Sequence, residues 1–165
     1  MSFALWLTGL PASGKSAVAR ELVRLLHERG VAAAVLESDV MRTQLTPFPR
    51  YDDTERDFFY GKLLQIGEIL VKERAVVFDA TANRRAYRDR ARQRIERFAE
   101  VYVDTPLEVC KARDPKGLYR KGLQIAYEPP LAPELVLHGE QGTAQERAAR
   151  IVTLLERRGW IRPAG

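Results

Sequence analysis

Eight consecutive residues near the start of the chain, Gly9-Leu10-Pro11-Ala12-Ser13-Gly14-Lys15-Ser16, follow the spacing G-x-x-x-x-G-K-S. Such a run works as a loop that leaves a buried strand and opens a helix, so it constrains the fold more than any other feature of the sequence. Its flanks supply both partners. Phe3 to Thr8 is apolar almost throughout, as a strand buried on two faces should be. From Ser16 to Arg29 apolar residues recur at Val18, Leu22, Leu25 and Leu26, and Gly30 closes the helix. The glycines permit backbone angles that other residues resist, so successive N–H groups can turn inward around a phosphate. The helix directs the positive end of its dipole at the same anion. Lys15 supplies a mobile cation for the outer phosphates, and the Ser16 hydroxyl a ligand for Mg²⁺. Gly9, Pro11, Ala12, Ser13, Gly14, Lys15, Ser16 and the adjoining Ala17 are therefore expected to bind ATP, with Lys15 also acting on the reacting phosphate.

The rest of the chain repeats the strand-then-helix alternation of a parallel sheet with helices packed on it. Val31 to Leu36, Ala75 to Phe78, Val101 to Asp104 and Leu135 to Leu137 read as further strands. Thr54 to Lys72 and Arg84 to Phe98 read as helices, and Thr43 to Asp53 as irregular. Thr105-Pro106-Leu107-Glu108 and Thr143-Ala144-Gln145-Glu146 both spell a capping box, the second opening a helix to Arg158. Arg113 to Pro133 gathers glycine, proline and basic residues and is expected to leave the sheet as an excursion. With 165 residues and no linker or repeat, one domain spanning residues 1–165 is expected.

Apolar residues make up 45% of the chain and charged residues 30%, which suits a folded domain with a core. A formal net charge of +5 favours an anionic partner, a phosphorylated small molecule or a nucleic acid. The single cysteine, Cys110, excludes a disulfide framework and a multi-thiolate metal site, and fits a reducing, cytoplasmic setting. No apolar run reaches the ~18 residues of a membrane span, and the apolar N-terminus lacks the basic flank of a signal peptide. His27, His138 and Cys110 have no partner spacing and read as structural.

Three groups of residues are candidates for serving the transfer of a phosphoryl group to an acceptor hydroxyl. Asp39 lies just past the second strand, on the edge where ligands gather in such sheets. It can accept a proton from an attacking hydroxyl or orient the Mg²⁺ shell, provided that it faces the loop unpinned by a salt link. Its bland reading, shared with Ser38, is a cap for a short helix through Arg42. Arg42, three residues on, faces the same space and can pair with an anionic acceptor. Asp79 ends the third strand and is placed to hold Mg²⁺ through water, or else to cap the next helix. That helix carries seven arginines, of which Arg85 and Arg88 lie nearest the strand end. They read equally as an anion clamp or as part of a solvated face, whereas Arg90, Arg94 and Arg97 read as solvated.

Gly9 to Ser16, Asp39-Val40-Met41-Arg42, Ile66-Gly67-Glu68, Val103 to Cys110, Arg113-Asp114-Pro115-Lys116-Gly117-Leu118-Tyr119 and Tyr127 to Leu137 together resemble the adenylylsulfate kinases. The resemblance implies a P-loop NTPase-type three-layer α/β sandwich with a five-stranded parallel sheet and helices on both faces. It implies transfer of the γ-phosphoryl of ATP, with Mg²⁺, to the 3′-hydroxyl of adenylylsulfate in sulfate assimilation. On that basis Asp39 matches the acid at the acceptor hydroxyl, Arg42 an acceptor contact, and Arg85 and Arg88 basic positions after the third strand. Arg113 matches a residue beside the ATP adenine, Lys116 lies at the base of a mobile lid, and Arg56 matches half of an Arg-x-x-Asn substrate motif. The family often forms homodimers.

Three segments differ from the family pattern. Between Lys121 and Tyr127 stand only Gly122-Leu123-Gln124-Ile125-Ala126, about ten residues fewer, without a phenylalanine that stacks on the substrate adenine. Phe59 stands where the Arg-x-x-Asn motif has asparagine. Asp79-Ala80-Thr81-Ala82-Asn83-Arg84-Arg85 is closer to the Asp-Ala-Thr-x-x-x-Arg segment of polynucleotide 5′-hydroxyl kinases and related small kinases. Losing one base-stacking partner costs roughly 1–3 kcal/mol, enough to change a preferred acceptor. A nucleoside, a sugar or a polynucleotide 5′-hydroxyl is therefore the alternative acceptor, and a nucleotide-driven switch without kinase activity is a third reading. Nucleic acid is the weaker partner reading, because the arginine helix lacks a series of interleaved aromatics.

Overall fold

The computed structural model describes residues 2–165. Five strands form one sheet: β1 (Ala4–Thr8), β2 (Ala33–Glu37), β3 (Ala75–Asp79), β4 (Phe98–Asp104) and β5 (Leu135–His138). They are ordered β2-β3-β1-β4-β5, and every adjacent pair is parallel. The helices are α1 (Lys15–Glu28), α2 (Ser38–Leu45), α3 (Asp53–Leu70), α4 (Arg85–Arg94), α5 (Leu107–Arg113) and α6 (Ala144–Arg157). None is long and apolar enough to cross a membrane.

Strand periodicity divides the core in two. Phe3, Leu5 and Leu7 point to one side of the sheet, where Val18, Leu22 and Leu26 of α1 and Ile151 and Leu155 of α6 cover them. Ala4 and Trp6 point to the other, against Phe59 and Leu63 of α3 and Tyr87 and Ala91 of α4. Trp6 stacks on Phe78 with ring centroids 4.5 Å apart, and its indole N–H donates to the Ala80 carbonyl at 3.1 Å. Because β1 and β3 are buried at every position, their apolar character is continuous and not alternating.

Local patterns misplaced several boundaries. α4 ends at Arg94, and the next strand starts at Phe98, three residues before the expected Val101. Ile95 and Phe98 suit a helical stripe equally well, but they are buried in the core beneath the sheet edge. The stretch read as irregular from Thr43 loses its first residues to α2, which starts at Ser38 without a side-chain cap from Glu37, Ser38 or Asp39. The two capping boxes also part company. Thr143 caps α6 by accepting the Glu146 N–H at 3.1 Å. Thr105 does not cap α5, and its hydroxyl donates to the Ser13 carbonyl at 2.8 Å. α5 starts at Leu107 with Pro106 in the N-cap position, so Thr105 stands one residue too early to cap it.

Candidate active site

All five strands end on one edge of the sheet, and the glycine loop occupies its middle, after β1. Gly9 passes so close to β4 that a side chain there would lie 2.5 Å from the Val103 carbonyl oxygen. Gly14 takes φ 103°, a left-handed angle that lets α1 begin abruptly at Lys15. No acidic residue stands in the first turn of α1 and no side chain caps it, so its N–H groups are left for an anion.

Lys15 is buried, and its ammonium folds back on the loop. It donates to the carbonyls of Gly9 at 3.1 Å and Leu10 at 2.9 Å, and to the hydroxyls of Ser13 at 3.4 Å and Thr81 at 3.3 Å. Burial pushes its pKa down to about 8, although Asp79 and more distant acids pull it upward. The group is a desolvated cation held by neutral oxygens, and a phosphate supplies the countercharge it lacks. Next to it, Ser16 donates to the buried Asp79 carboxylate at 2.6 Å. A hydroxyl paired with a carboxylate is an all-oxygen donor set, which suits Mg²⁺. Among the described residues no group of three or more His, Cys, Asp or Glu side chains is gathered for a metal, so a cation here needs phosphate oxygens or water to complete its shell.

The loop opens into a cleft of about 580 Å³ that also reaches Asp39, Lys116, Arg113 and Arg147. Asp39 faces this cleft, but it is not unpinned, because it forms an ion pair with Lys116. Both side chains are about half exposed, and such pairs are worth at most about 1 kcal/mol. A bound substrate can displace the link. Burial works against the Lys116 charge, but its hydrogen bond to Asp39 and that carboxylate's charge outweigh burial and raise its pKa. Arg113 donates to the carbonyls of Ser13 at 3.5 Å and Gly139 at 2.8 Å, bracing the loop against the turn after β5.

The other arginines singled out in the sequence lie outside this cleft. Arg42 donates to Glu55 at 3.1 Å, with its guanidinium 4.2 Å from the Phe59 ring centroid and 5.2 Å from that of Tyr51. Phe59, read against a missing asparagine, is thus a core residue that supports Arg42. Arg56 is half-buried and, among the described residues, its side chain makes no ion pair or hydrogen bond. It lines a second cleft of about 370 Å³ with Asn83, Arg84, residues 124–126 and two carboxylates, Asp53 and Glu128. Arg85 donates to the Pro129 carbonyl at 2.6 Å. Arg88 is buried, pairs with Glu100 at 2.8 Å, donates to the Glu128 carbonyl and lies 5.5 Å from the Tyr127 ring centroid. Arg84 pairs with Asp53 and Arg92 with Glu134, and Arg94, read as solvated, pairs with Glu68. Most of the arginine helix is therefore committed to its own chain.

Several contributors went unread. Thr81 sits beside the Lys15 ammonium, and the Tyr119 hydroxyl donates to the Pro11 carbonyl at 2.8 Å, tying the 114–134 excursion to the loop. The Asp52 side chain caps α3 by accepting the Glu55 N–H at 2.8 Å, and this Asp-x-x-Glu spacing is the sequence signal that marks Glu55 as part of an ordered helix start. Thr81 and Tyr119 stand inside the Asp79-Ala80-Thr81 and Asp114 to Tyr119 segments quoted for their family likeness, which is the signal that could have found them.

A family model described as adenylylsulphate kinase matches residues 1–138. An adenylyl-sulfate kinase of Halothermothrix orenii is 38% identical over 173 aligned positions, which cover 95% of this chain and 91% of the relative. One of Rippkaea orientalis is 34% identical over 168 positions, covering 95% and 93%. Among solved structures, the Mycobacterium tuberculosis APS kinase CysC in complex with AMPPNP and APS superimposes with a TM-score of 0.86 at 33% identity, over 94% of this chain and 98% of that one.

Proposed function

The chain belongs to the adenylylsulphate kinase family, and from that membership we propose that it moves the γ-phosphoryl group of ATP onto the 3′-hydroxyl of adenylylsulfate. The observation that carries this reading is the convergence of Lys15, the Ser16–Asp79 pair and Asp39 on one cleft.

Lys15 leaves the loop carbonyls for the phosphate oxygens, and the loop N–H groups with the start of α1 hold the rest of the triphosphate. Once substrate displaces Lys116, Asp39 takes the proton of the acceptor hydroxyl. That oxygen bonds to the γ-phosphorus while the bond from phosphorus to the departing ADP oxygen breaks. Such catalysis is mostly positioning and charge stabilisation. Ser16 and Asp79 are the residues that hold Mg²⁺, which when bound neutralises developing phosphate charge.

The acceptor extends from Asp39 toward the second cleft. Thr81 lines the first cleft and Asn83 the second, so one short connector that turns at Ala82, φ 46°, links the two. Arg56, uncommitted, meets the acceptor's anionic group there, with Arg42 and Arg85 as outer contacts. Arg88 is a positioning residue that fixes Glu128 and Tyr127 beneath the acceptor. Residues 113–133 act as the lid, with Lys116 at its base, within one kinase domain of residues 1–165. The protein works in the cytoplasm, and a homodimer is its proposed assembly.

A phosphoryl-transfer panel with ATP and Mg²⁺ tests the reading, comparing adenylylsulfate with nucleosides, sugars and 5′-hydroxyl oligonucleotides. Adenylylsulfate is expected to give the highest kcat/KM, and a higher value for another alcohol overturns it. The Arg42–Glu55 pair favours that second outcome, since it removes one free positive charge from the acceptor side.

A further inference from the structure

Arg147, in the first turn of α6, is a cation that the phosphoryl-transfer scheme leaves unused. It lines the main cleft on the wall away from Asp39. One terminal nitrogen donates to the carbonyls of Gln141 at 2.7 Å and Gly142 at 3.2 Å. Its Nε is buried with no partner, and among the described residues no carboxylate pairs with it. Burial lowers its pKa and the positive charge of Arg113 lowers it further, with only Glu146 and Glu140 acting in the other direction. Two guanidinium groups thus grip one turn, Arg113 at Gly139 and Arg147 at Gln141 and Gly142, and among the described residues neither pairs with a carboxylate. The second terminal nitrogen of Arg147 makes no hydrogen bond among the described residues, so Arg147 keeps a donor for a ligand in the cleft.

Strand order identifies that ligand. The loop follows the central β1. Asp39 and Asp79 follow β2 and β3 on one side of it, while Arg113 and the 139–142 turn follow β4 and β5 on the other. A triphosphate held at the loop has to send its nucleoside one way and meet its acceptor the other. Asp39 and Asp79 occupy the acceptor direction, so the base travels toward Arg113 and Arg147. There a purine presents N7, a ring acceptor that an arginine donor fits well.

We propose that Arg147 is a donor-nucleotide contact that hydrogen-bonds N7 of the purine base and so sets the preference for a purine triphosphate. The proposal rests on the donor half of the reading above and on no particular acceptor.

Calorimetric titration of the full chain with ATP and with 7-deaza-ATP, with Mg²⁺ and without an acceptor, tests it in the wild type and in Arg147→Met. Wild-type protein is expected to bind 7-deaza-ATP about tenfold more weakly than ATP. Arg147→Met is expected to bind ATP about tenfold more weakly and to lose the distinction between the two nucleotides. A merely structural role for Arg147 weakens both nucleotides equally and leaves the 7-deaza penalty intact, which overturns the proposal, as does unchanged ATP binding in the variant. If the variant does not fold, the wild-type comparison stands alone, and equal binding of the two nucleotides overturns it. A chain that passes this test but phosphorylates no adenylylsulfate loses its acceptor assignment and keeps this one.

Discussion

The two halves of the cleft are held together over different distances along the chain. On the donor side, Lys15 bonds to groups two, five and six residues away, with Thr81 as its one remote partner. On the acceptor side, Arg85 reaches 44 residues to Pro129, Arg92 42 residues to Glu134, and Lys116 77 residues to Asp39. The shape of the donor loop is set largely by eight residues, and Asp79, Thr105 and Tyr119 then fasten it from 63, 92 and 108 residues away. The acceptor half is assembled by long-range contacts between α2, α3, α4 and the excursion before β5, so replacing one partner there disturbs several others.

This contrast can be broken or sharpened by experiment. Asp39→Asn should lower kcat by about 10²–10⁴-fold while ATP affinity stays unchanged, read from steady-state kinetics beside a binding titration. A loss below tenfold removes Asp39 as the proton acceptor. Arg88→Met leaves the buried Glu100 with only the longer 3.7 Å contact to Arg92 and should cost about 3 kcal/mol in urea denaturation. ATP affinity should barely change, because the break lies wholly on the long-range side.

The donor half should answer to pH. Lys15 needs its proton to hold a phosphate, and its pKa stands at about 8. ATP affinity should therefore fall as pH rises past 8, by at most about tenfold per unit, and Lys15→Met should flatten the profile. The folded-state pKa is depressed below that of the unfolded chain, so between about pH 8 and pH 10.5 the unfolded state binds more protons. Stability without nucleotide should accordingly gain from this group as pH rises through that window. The smallest effect belongs to Arg90→Ala. Arg90 is exposed and outside the ion pairs that occupy its neighbours, and its loss should change stability by less than about 0.5 kcal/mol. A large loss of oligonucleotide binding in that variant would reopen the nucleic-acid reading.

Gly9 to Ser16, the buried β1 before them and the amphipathic α1 after them are legible because each depends on neighbours within a few residues. The glycine angles, the helix dipole and the period of the apolar stripe are local physics. The strand-end positions of Asp39 and Asp79 were readable for a similar reason, since a parallel sheet puts every strand end on one edge. Partner choice was not readable. Thr105 and Thr143 spell the same capping box, and one caps a helix while the other fastens the phosphate loop. The arginines of α4 look alike in sequence, yet Arg88 is sealed in an ion pair and Arg90 meets solvent. Asp39 and Lys116 meet only because the excursion folds over α2. An electrostatic or hydrogen-bonding side chain takes whichever partner the packed backbone brings within about 3 Å, and backbone approaches across 40 or more residues leave no periodic trace in the chain.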